Sequence, residues 1–321
     1  MSGRLATLCI RSFQWASIGV AIVWLAGWAC GDDWRWSQWL FWIPPFAVAL
    51  PATAAWVVTR VWRVGHWKRD ERVQAAIVVA SIGMGLWRTV GAGPAAAPDE
   101  RAVSVLQWNT DWPSGDDARS IAFLAANQAD IVALSNRGSI TSPDLVRAWA
   151  GADARVVGAG PFAIVTHLPV IEARQVAVGG RGRQLWWVAR FEVAPPAWNG
   201  RTLRIAMVDL PSRPTIAKAL IAEGLREACE QGGLGEVDLV VGDFNATDGS
   251  VIIDRCFPRF RDALASCGRG WLATWPRNFP LWKIDHVLTG SGVRATAART
   301  LDPGVSHHRA TSASIVCAEG G

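Results

Sequence analysis

Phe13 to Cys30 (FQWASIGVAIVWLAGWAC) runs for 18 residues without a charge. As a helix, such a run covers about 27 Å at ~1.5 Å per residue, close to the ~30 Å hydrocarbon core of a bilayer. A second uncharged run, Trp36–Thr59, contains Pro44, Pro45 and Pro51, which bend helices but are tolerated in membranes. A third, Val73–Trp87, is followed by Arg88, whose stem can reach the interface. Three spans, about 13–30, 36–59 and 73–90, are therefore expected within residues 1–90. A cleaved signal peptide fits the first run poorly, because it is long, lacks a small-residue cleavage pattern and is closely followed by another apolar run.

Basic residues in the short loops set the orientation. Seven lie before the first run or between the second and third, and only Arg35 lies between the first and second. This places the N-terminus in the cytoplasm and the chain beyond the third span outside it. Trp24, Trp28, Trp34, Trp36, Trp39 and Trp42 crowd one end of the first two runs and read as an aromatic belt in lipid.

The basic excess is confined to this part. Residues 1–98 carry 9 Lys/Arg against 4 Asp/Glu, and residues 99–321 carry 23 of each. The balanced remainder gives no nucleic-acid footprint, so duplex DNA is not the favoured partner. With 50% hydrophobic and 18% charged residues the chain is not disordered. The absence of Tyr excludes any catalytic phenol. Gly91–Pro98 (GAGPAAAP) reads as a linker, and residues 99–321 suffice for one layered core.

That remainder alternates strand and helix patterns. Strands are expected at Val103–Asn109, Ile131–Leu134, Phe162–Thr166, Leu185–Val193, Leu203–Leu210, Val237–Val241, Ile284–Leu288 and Ala310–Val316. Helices are expected at Ala118–Gln128, Pro143–Trp149 and Thr215–Glu230. Polar clusters stand where the strands end: Asn109-Thr110-Asp111, Asp243-Phe244-Asn245, Asp285-His286 and Ser306-His307-His308. Strand ends are where loops converge to build sites.

Seven pieces in order, VLQWNTD (105–111), ADIVALSN (129–136), FAIVTHLP (162–169), LRIAMVDLPS (203–212), LVVGDFNAT (239–247), KIDHVL (283–288) and SHHRA (306–310), resemble the endonuclease/exonuclease/phosphatase family with its deoxyribonuclease-I-like fold. The resemblance spans nearly all of residues 102–317, and GDFN is its most specific part. It implies an α/β fold, a four-layer α-β-β-α sandwich, and metal-assisted hydrolysis of a phosphoester. By that resemblance Asp243 is the base for the attacking water. Asn245 hydrogen-bonds the phosphate or orients Asp243, His308 contacts the phosphoryl oxygen, and Asp285 pairs with His308. Asn109 is a metal-site residue with Asp111 beside it. The chemistry suits these types, since an anionic ester needs a hard cation, a base and a proton donor.

Three positions depart from the family pattern. The metal-binding Glu is Asn136 here, the Asp of Ser-Asp-His is His307, and the His of Thr-His-Leu is Asp209. Asn109, Asn136, Asp111 and His307 are the candidate metal residues, and Asp209 and His167 the candidate substrate-binding ones. A divalent metal, Mg²⁺ or Mn²⁺, is implied as cofactor. His307 with Asp243 and Asp209 would suit Mn²⁺ or Zn²⁺ better than Mg²⁺. The expected function is a membrane-anchored phosphoesterase acting on a lipid-linked or small phosphate ester. The alternative is an inactive domain of the same fold that binds a phospho-ligand or a protein. Cys256 and Cys267 are free thiols or, outside the cytoplasm, a short-loop pair, with free thiols preferred. Gly179–Gly182 (GGRG) lacks the context of a phosphate-binding loop and reads as a hairpin or loop.

Overall fold

The computed structural model describes residues 3–61, 68–94, 99–112, 118–181, 184–232 and 234–318. The chain divides into two compact units, Met1–Arg88 with Ala217–Ala219, and Thr89–Ile216 with Leu220–Gly321.

The first unit is helical: α1 (Gly3–Cys30), α2 (Ser37–Phe41), α3 (Pro45–Val61) and α4 (Lys68–Thr89). Among the described residues one helix, through Thr7–Cys30, is long and apolar enough to cross a membrane, and Pro45–Val61 is a shorter apolar helix. The run expected as one span over 36–59 is instead broken at residues 42–44. Pro44-Pro45 explains the break: a proline disfavours helix in the residue before it and donates no N–H, yet suits the first helical position, where Pro45 sits. The third run lies in α4, whose first turns carry Lys68, Arg69, Asp70, Glu71 and Arg72. Buried polar side chains join three helices. Gln14 Nε2 donates to Thr59 Oγ1 (2.9 Å), Ser17 Oγ to Gln74 Oε1 (2.9 Å) and Gln74 Nε2 to the Gln14 carbonyl (3.1 Å). Such bonds tie helices together where water is scarce. Trp24 departs from the expected lipid belt. It is 3% exposed, packs with Ala21 and Val48, and donates Nε1–H to the Ile43 carbonyl. Trp34, Trp36 and Trp39 are exposed.

In the second unit the strands are β1 (Val90–Ala92), β2 (Val103–Asn109), β3 (Ile131–Ser135), β4 (Arg155–Ala159), β5 (Phe162–Thr166), β6 (Val170–Arg181), β7 (Gln184–Val193), β8 (Leu203–Asp209), β9 (Leu239–Asp243), β10 (Arg261–Asp262), β11 (Arg269–Trp271), β12 (Asp285–Thr289), β13 (Val293–Leu301) and β14 (Ala310–Cys317). The helices are α5 (Ala118–Ala126), α6 (Pro143–Ala150), α7 (Lys218–Gln231), α8 (Val251–Cys256) and α9 (Ala263–Cys267). One six-stranded sheet has the order β10-β12-β9-β8-β7-β6 and the other β13-β14-β2-β3-β5-β4. β4, β6 and β13 were not expected from the sequence, and each is an edge strand of its sheet, β4 being short and half-exposed besides.

Alternation along each strand divides the core. Val103, Val105, Ile131, Ile164, Phe191, Ile205, Met207, Leu239, Val241, Val287 and Ile315 pack together between the sheets. Their neighbours face outwards. Leu106, Trp108, Val132 and Leu134 meet Phe123, Leu124 and Val146 from α5 and α6. Val188, Ala206, Val208 and Val240 meet Ile221, Leu225 and Ile252 from α7 and α8. The result is helices, sheet, sheet, helices. Trp108, fully buried edge-on to Phe123 at 5.2 Å, removes on the order of 200 Å² from water, several kcal/mol at about 25 cal/mol per Å².

The expected linker is partly structured. β1 pairs with β11, and Gly93 N donates to the Gly268 carbonyl (2.8 Å). A Cβ on Gly91 would lie 2.1 Å from the Gly268 oxygen, so only glycine permits this approach. Residues 95–98 lie outside the described residues. In the GGRG segment, Arg181 pairs with Gln184 at a hairpin end, and Gly182 lies outside the described residues. Cys256 and Cys267 are free, their thiols donating to the Ala222 and Ala263 carbonyls respectively.

Candidate active site

The inner faces of the central strands turn polar at one end. On β8 the inward residues run Ile205, Met207, Asp209, and on β9 Leu239, Val241, Asp243. On β12 Val287 is preceded by Asp285, and on β2 Val103 and Val105 are followed by Gln107 and Asn109. Register aligns them. Asp209 is opposite Asp243, Asp243 opposite Asp285, and Trp187 opposite Asp209, so one row crosses four strands. Period-two geometry thus delivers three carboxylates to the rim between the sheets. Gly242 lets β8 and β9 close up. Its φ is +142°, and a Cβ would meet the Val208 oxygen at 2.0 Å. Gly242→Ala is expected to cost at least about 2 kcal/mol in urea unfolding, and an unchanged midpoint would contradict this close approach.

Asp243 is held from both sides. Its Oδ2 accepts from Asn109 Nδ2 (2.9 Å) and its Oδ1 from the Asn245 backbone N–H (2.9 Å). Asn245 Nδ2 donates to the Leu210 carbonyl (2.8 Å). Asn136 Nδ2 donates to both Asn109 Oδ1 and Asp209 Oδ2, each at 3.1 Å. His308 Nδ1 bonds Asp285 Oδ2 (3.0 Å), while its Nε2 lies 3.7 Å from Asp243 Oδ2. Gln107 Nε2 reaches the other Asp285 oxygen (3.5 Å), a partner the sequence reading missed. Asp111, Trp112, Asn136, Asn245 and Ser306 all adopt positive φ at this rim, a concentration of strained backbone typical of functional sites.

Burial sets the charges. It raises the Asp243 carboxyl to about 7, helped by the nearby Asp285 charge. Burial likewise raises Asp209 to about 6, against the Asn136 hydrogen bond and the His308 charge. Burial opposes charge on His308, but the Asp285 and Asp243 carboxylates outweigh it and raise the imidazole to about 10. The rim therefore holds an imidazolium beside carboxylates that lack full compensation.

Not every expected residue joins the cluster. His307 is 79% exposed and pairs with Asp111 outside the buried row, so neither side chain belongs to the inner set. His167 follows the far end of β5: Thr166 is opposite Ile131, whereas Phe162 is opposite Ser135 at the site end. It bonds the Ala150 carbonyl and does not reach the rim. The antiparallel course of β5 carries it away. A second charged cluster, which the sequence reading did not single out, supports the Asp243–Asn245 loop from behind. His286 bonds Asp262 through Nδ1 (2.5 Å) and the Ala246 carbonyl through Nε2 (2.8 Å). Lys283 Nζ bridges Asp248 (2.9 Å) and Asp262 (3.0 Å). Lys283 and His286 flank Asp285 in the KIDH segment, the one sequence signal that pointed there.

The oxygen set suits a hard cation. The Asn136 Nδ2 donor is within hydrogen-bond reach of both Asn109 Oδ1 and Asp209 Oδ2, so two oxygens already converge on one electropositive point. Asp243 adds a buried carboxylate, and the raised Asp209 and Asp243 values mark negative charge that a divalent ion would compensate. Asp243, Asp285 and His308 also bring ligand atoms within 4.8 Å of one another, but His308 Nδ1 is already engaged by Asp285.

A two-sheet sandwich with carboxylates, amides and an imidazolium at one rim defines a class of α/β proteins built to handle anionic esters. This chain belongs to the Endonuclease/Exonuclease/phosphatase family, whose sequence profile matches residues 106–312. An Endonuclease/Exonuclease/phosphatase family protein from Bacteroides thetaiotaomicron aligns with a TM-score of 0.52 at 13% identity, covering 67% of this chain and 97% of that one. A mannosyl-6-phosphatase from the same species aligns with a TM-score of 0.52 at 13% identity, covering 67% of this chain and 99% of that one. At this identity the likeness concerns the fold. No curated protein matches the chain.

Proposed function

We propose that this chain is a membrane-anchored, divalent-metal-dependent phosphoesterase that hydrolyses a phosphate ester with activated water. The observation that carries the reading is a buried carboxyl and a buried imidazole, Asp243 and His308, 3.7 Å apart without a hydrogen bond between them. That separation leaves both free to engage a substrate. Asp243, fixed by Asn109 and Asn245, accepts the proton of the attacking water as the water oxygen bonds phosphorus and the ester oxygen leaves. His308, kept protonated by Asp285, donates its Nε2–H to a non-bridging phosphoryl oxygen. Mg²⁺ or Mn²⁺, held by Asp209, Asn109, Asn136 and Asp243, supplies charge neutralisation at the phosphoryl group when bound. We read the helices of residues 1–90 as the anchor, and the distribution of basic residues in their loops favours residues 99–321 lying outside the cytoplasm. A second reading, a phosphate-binding module without turnover, is supported by position 136, where the resemblance implies a metal-binding Glu and this chain has an amide.

The test uses the full chain in detergent with a chromogenic phosphodiester and a phosphomonoester across Mg²⁺, Mn²⁺, Ca²⁺ and Zn²⁺. Turnover is expected only with a divalent ion. The rate should climb with pH as Asp243 ionises near 7 and decline near 10 as His308 loses its proton. Raising the metal concentration should shift the lower limb to more acid pH, because a bound cation favours the carboxylate. Folded protein with no turnover under any metal leaves the binding-module reading.

A further inference from the structure

A cleft of about 350 Å³ opens at the same rim, lined by Trp112, Arg137, Gly138, Gly160, Pro161 and Trp187. Its three large walls adjoin the site residues. Trp112 follows Asp111, Arg137 follows Asn136, and Trp187 is the cross-strand partner of Asp209. Along the row Trp187–Asp209–Asp243–Asp285, the cleft therefore lies at the end away from His308. An ester whose phosphoryl group sits between Asp243 and His308 has the cleft beside it.

The lining is selective. Trp187 is half-buried, with its body against the inter-sheet core, and Trp112 is largely exposed on a left-handed turn. Arg137 spends one donor on Thr141 Oγ1 (3.0 Å) and has no carboxylate partner among the described residues. Indole faces stack on rings, and a guanidinium fork grips phosphate or carboxylate. The volume is at the lower end of the roughly 300–1,000 Å³ usual for small-molecule sites, room for one ring system and not for a pair of acyl chains.

We propose that this cleft binds the alcohol half of the phosphate ester, and that this half is a ring bearing a second anionic group, the ring against Trp187 and Trp112 and the anion on Arg137. The proposal rests on the phosphoesterase reading of the neighbouring row. Such a ring phosphate comes free, as a sugar or nucleoside bisphosphate, or as the headgroup of a lipid, and the recognising chemistry is the same.

Hydrolysis by the full chain in detergent is compared for glycerol 1-phosphate, glucose 6-phosphate, glucose 1,6-bisphosphate, adenosine 3′,5′-bisphosphate and vesicles containing phosphatidylinositol 4-phosphate. The bisphosphates or the phosphoinositide should be preferred over glycerol phosphate. Arg137→Ala should lower kcat/KM for the preferred ester by about tenfold to a hundredfold, the usual range for a hydrogen bond to a charged group. Arg137→Lys should recover part of that loss, and glycerol phosphate should change less than about twofold. Trp187→Ala should raise KM for ring esters alone. The vesicle arm, set against the soluble bisphosphates, separates the two sources.

Equal kcat/KM for ring and ring-free esters, or equal losses for both in Arg137→Ala, overturns the proposal while leaving the phosphoesterase reading intact. Calorimetric titration of the bisphosphates into Asp243→Asn protein separates the opposite case. Binding that Arg137→Ala abolishes, without turnover by the unsubstituted chain, keeps the cleft and removes the hydrolase. Absence of both binding and turnover removes both.

Discussion

Asp243→Asn is expected to lower phosphate-ester turnover by about 10²–10⁴-fold, the usual contribution of a positioned base, while raising thermal stability at pH 8. Both follow from one fact. Asp243 is buried beside Asp285 and Asp209, which pushes its carboxyl to about 7. The unfolded chain has an ordinary carboxyl near 3.8, so between these values the native state holds the extra proton. Its contribution to stability therefore falls as pH rises from about 4 to 7 and stays low above that. A neutral amide escapes this loss, against one hydrogen bond, since the new NH₂ cannot satisfy both Asn109 Nδ2 and the Asn245 N–H. Melting curves of the two proteins should thus separate at pH 8, with the variant higher, draw together as pH falls and converge near pH 4. A variant that loses activity and stability together at pH 8 would make Asp243 a structural residue.

Asp262→Asn should have the largest effect on folding, about 3–5 kcal/mol, because it strips a shared anion from two buried cations. Lys283 is 4% exposed and the His286 side chain is fully buried. Although burial opposes charge on both, Asp248 and Asp262 hold the Lys283 ammonium charged, and Asp262 raises the His286 imidazole. Burial works against the Asp262 carboxylate too, yet Lys283 and His286 pull it well below the usual range. The signs oppose one another. Stability from Asp262 is present above its unfolded value near 3.8 and lost as pH falls through its depressed one. That from His286 is present below 6.5 and lost as pH rises through its raised one. The variant's deficit should accordingly be greatest near pH 6 and shrink at alkaline pH, where His286 sheds its proton. Urea midpoints across pH 5–9 measure this. A deficit below about 1 kcal/mol at every pH would mean that the cluster is dispensable, since 3–5 kcal/mol is expected for a broken buried pair.

The rim residues were legible as polar clusters at strand ends and through the family resemblance, and strand alternation explains why they meet. Once Leu239 and Val241 face inwards, Asp243 must follow them, and the same holds for Asp209 after Met207. What alternation cannot convey is strand direction within a sheet. His167 stands one residue past a run as clear as any, yet β5 is antiparallel to β3 and takes it to the opposite end. Edge strands were equally opaque. β13 (VRATAARTL) holds only small, polar or charged residues between Val293 and Leu301, so it carries no alternating apolar signal. Asp262 carries no motif, and its importance arises only when folding sets it against Lys283 and His286. In the helical unit, proline spacing gave fair warning at residues 44–45, but the burial of Trp24 depended on packing that composition does not encode.

The apolar core ends one step before the chemistry begins on every central strand. Packing and catalysis are thereby separately heritable. Mutations at the rim can change charge, ligand type or substrate without opening a void among Val105, Met207 and Val241, and repacking among those three leaves the rim chemistry alone. Asn136 and Asp209, side chains of that rim, stand where charge and ligand type can be rewritten, or silenced, while the fold persists.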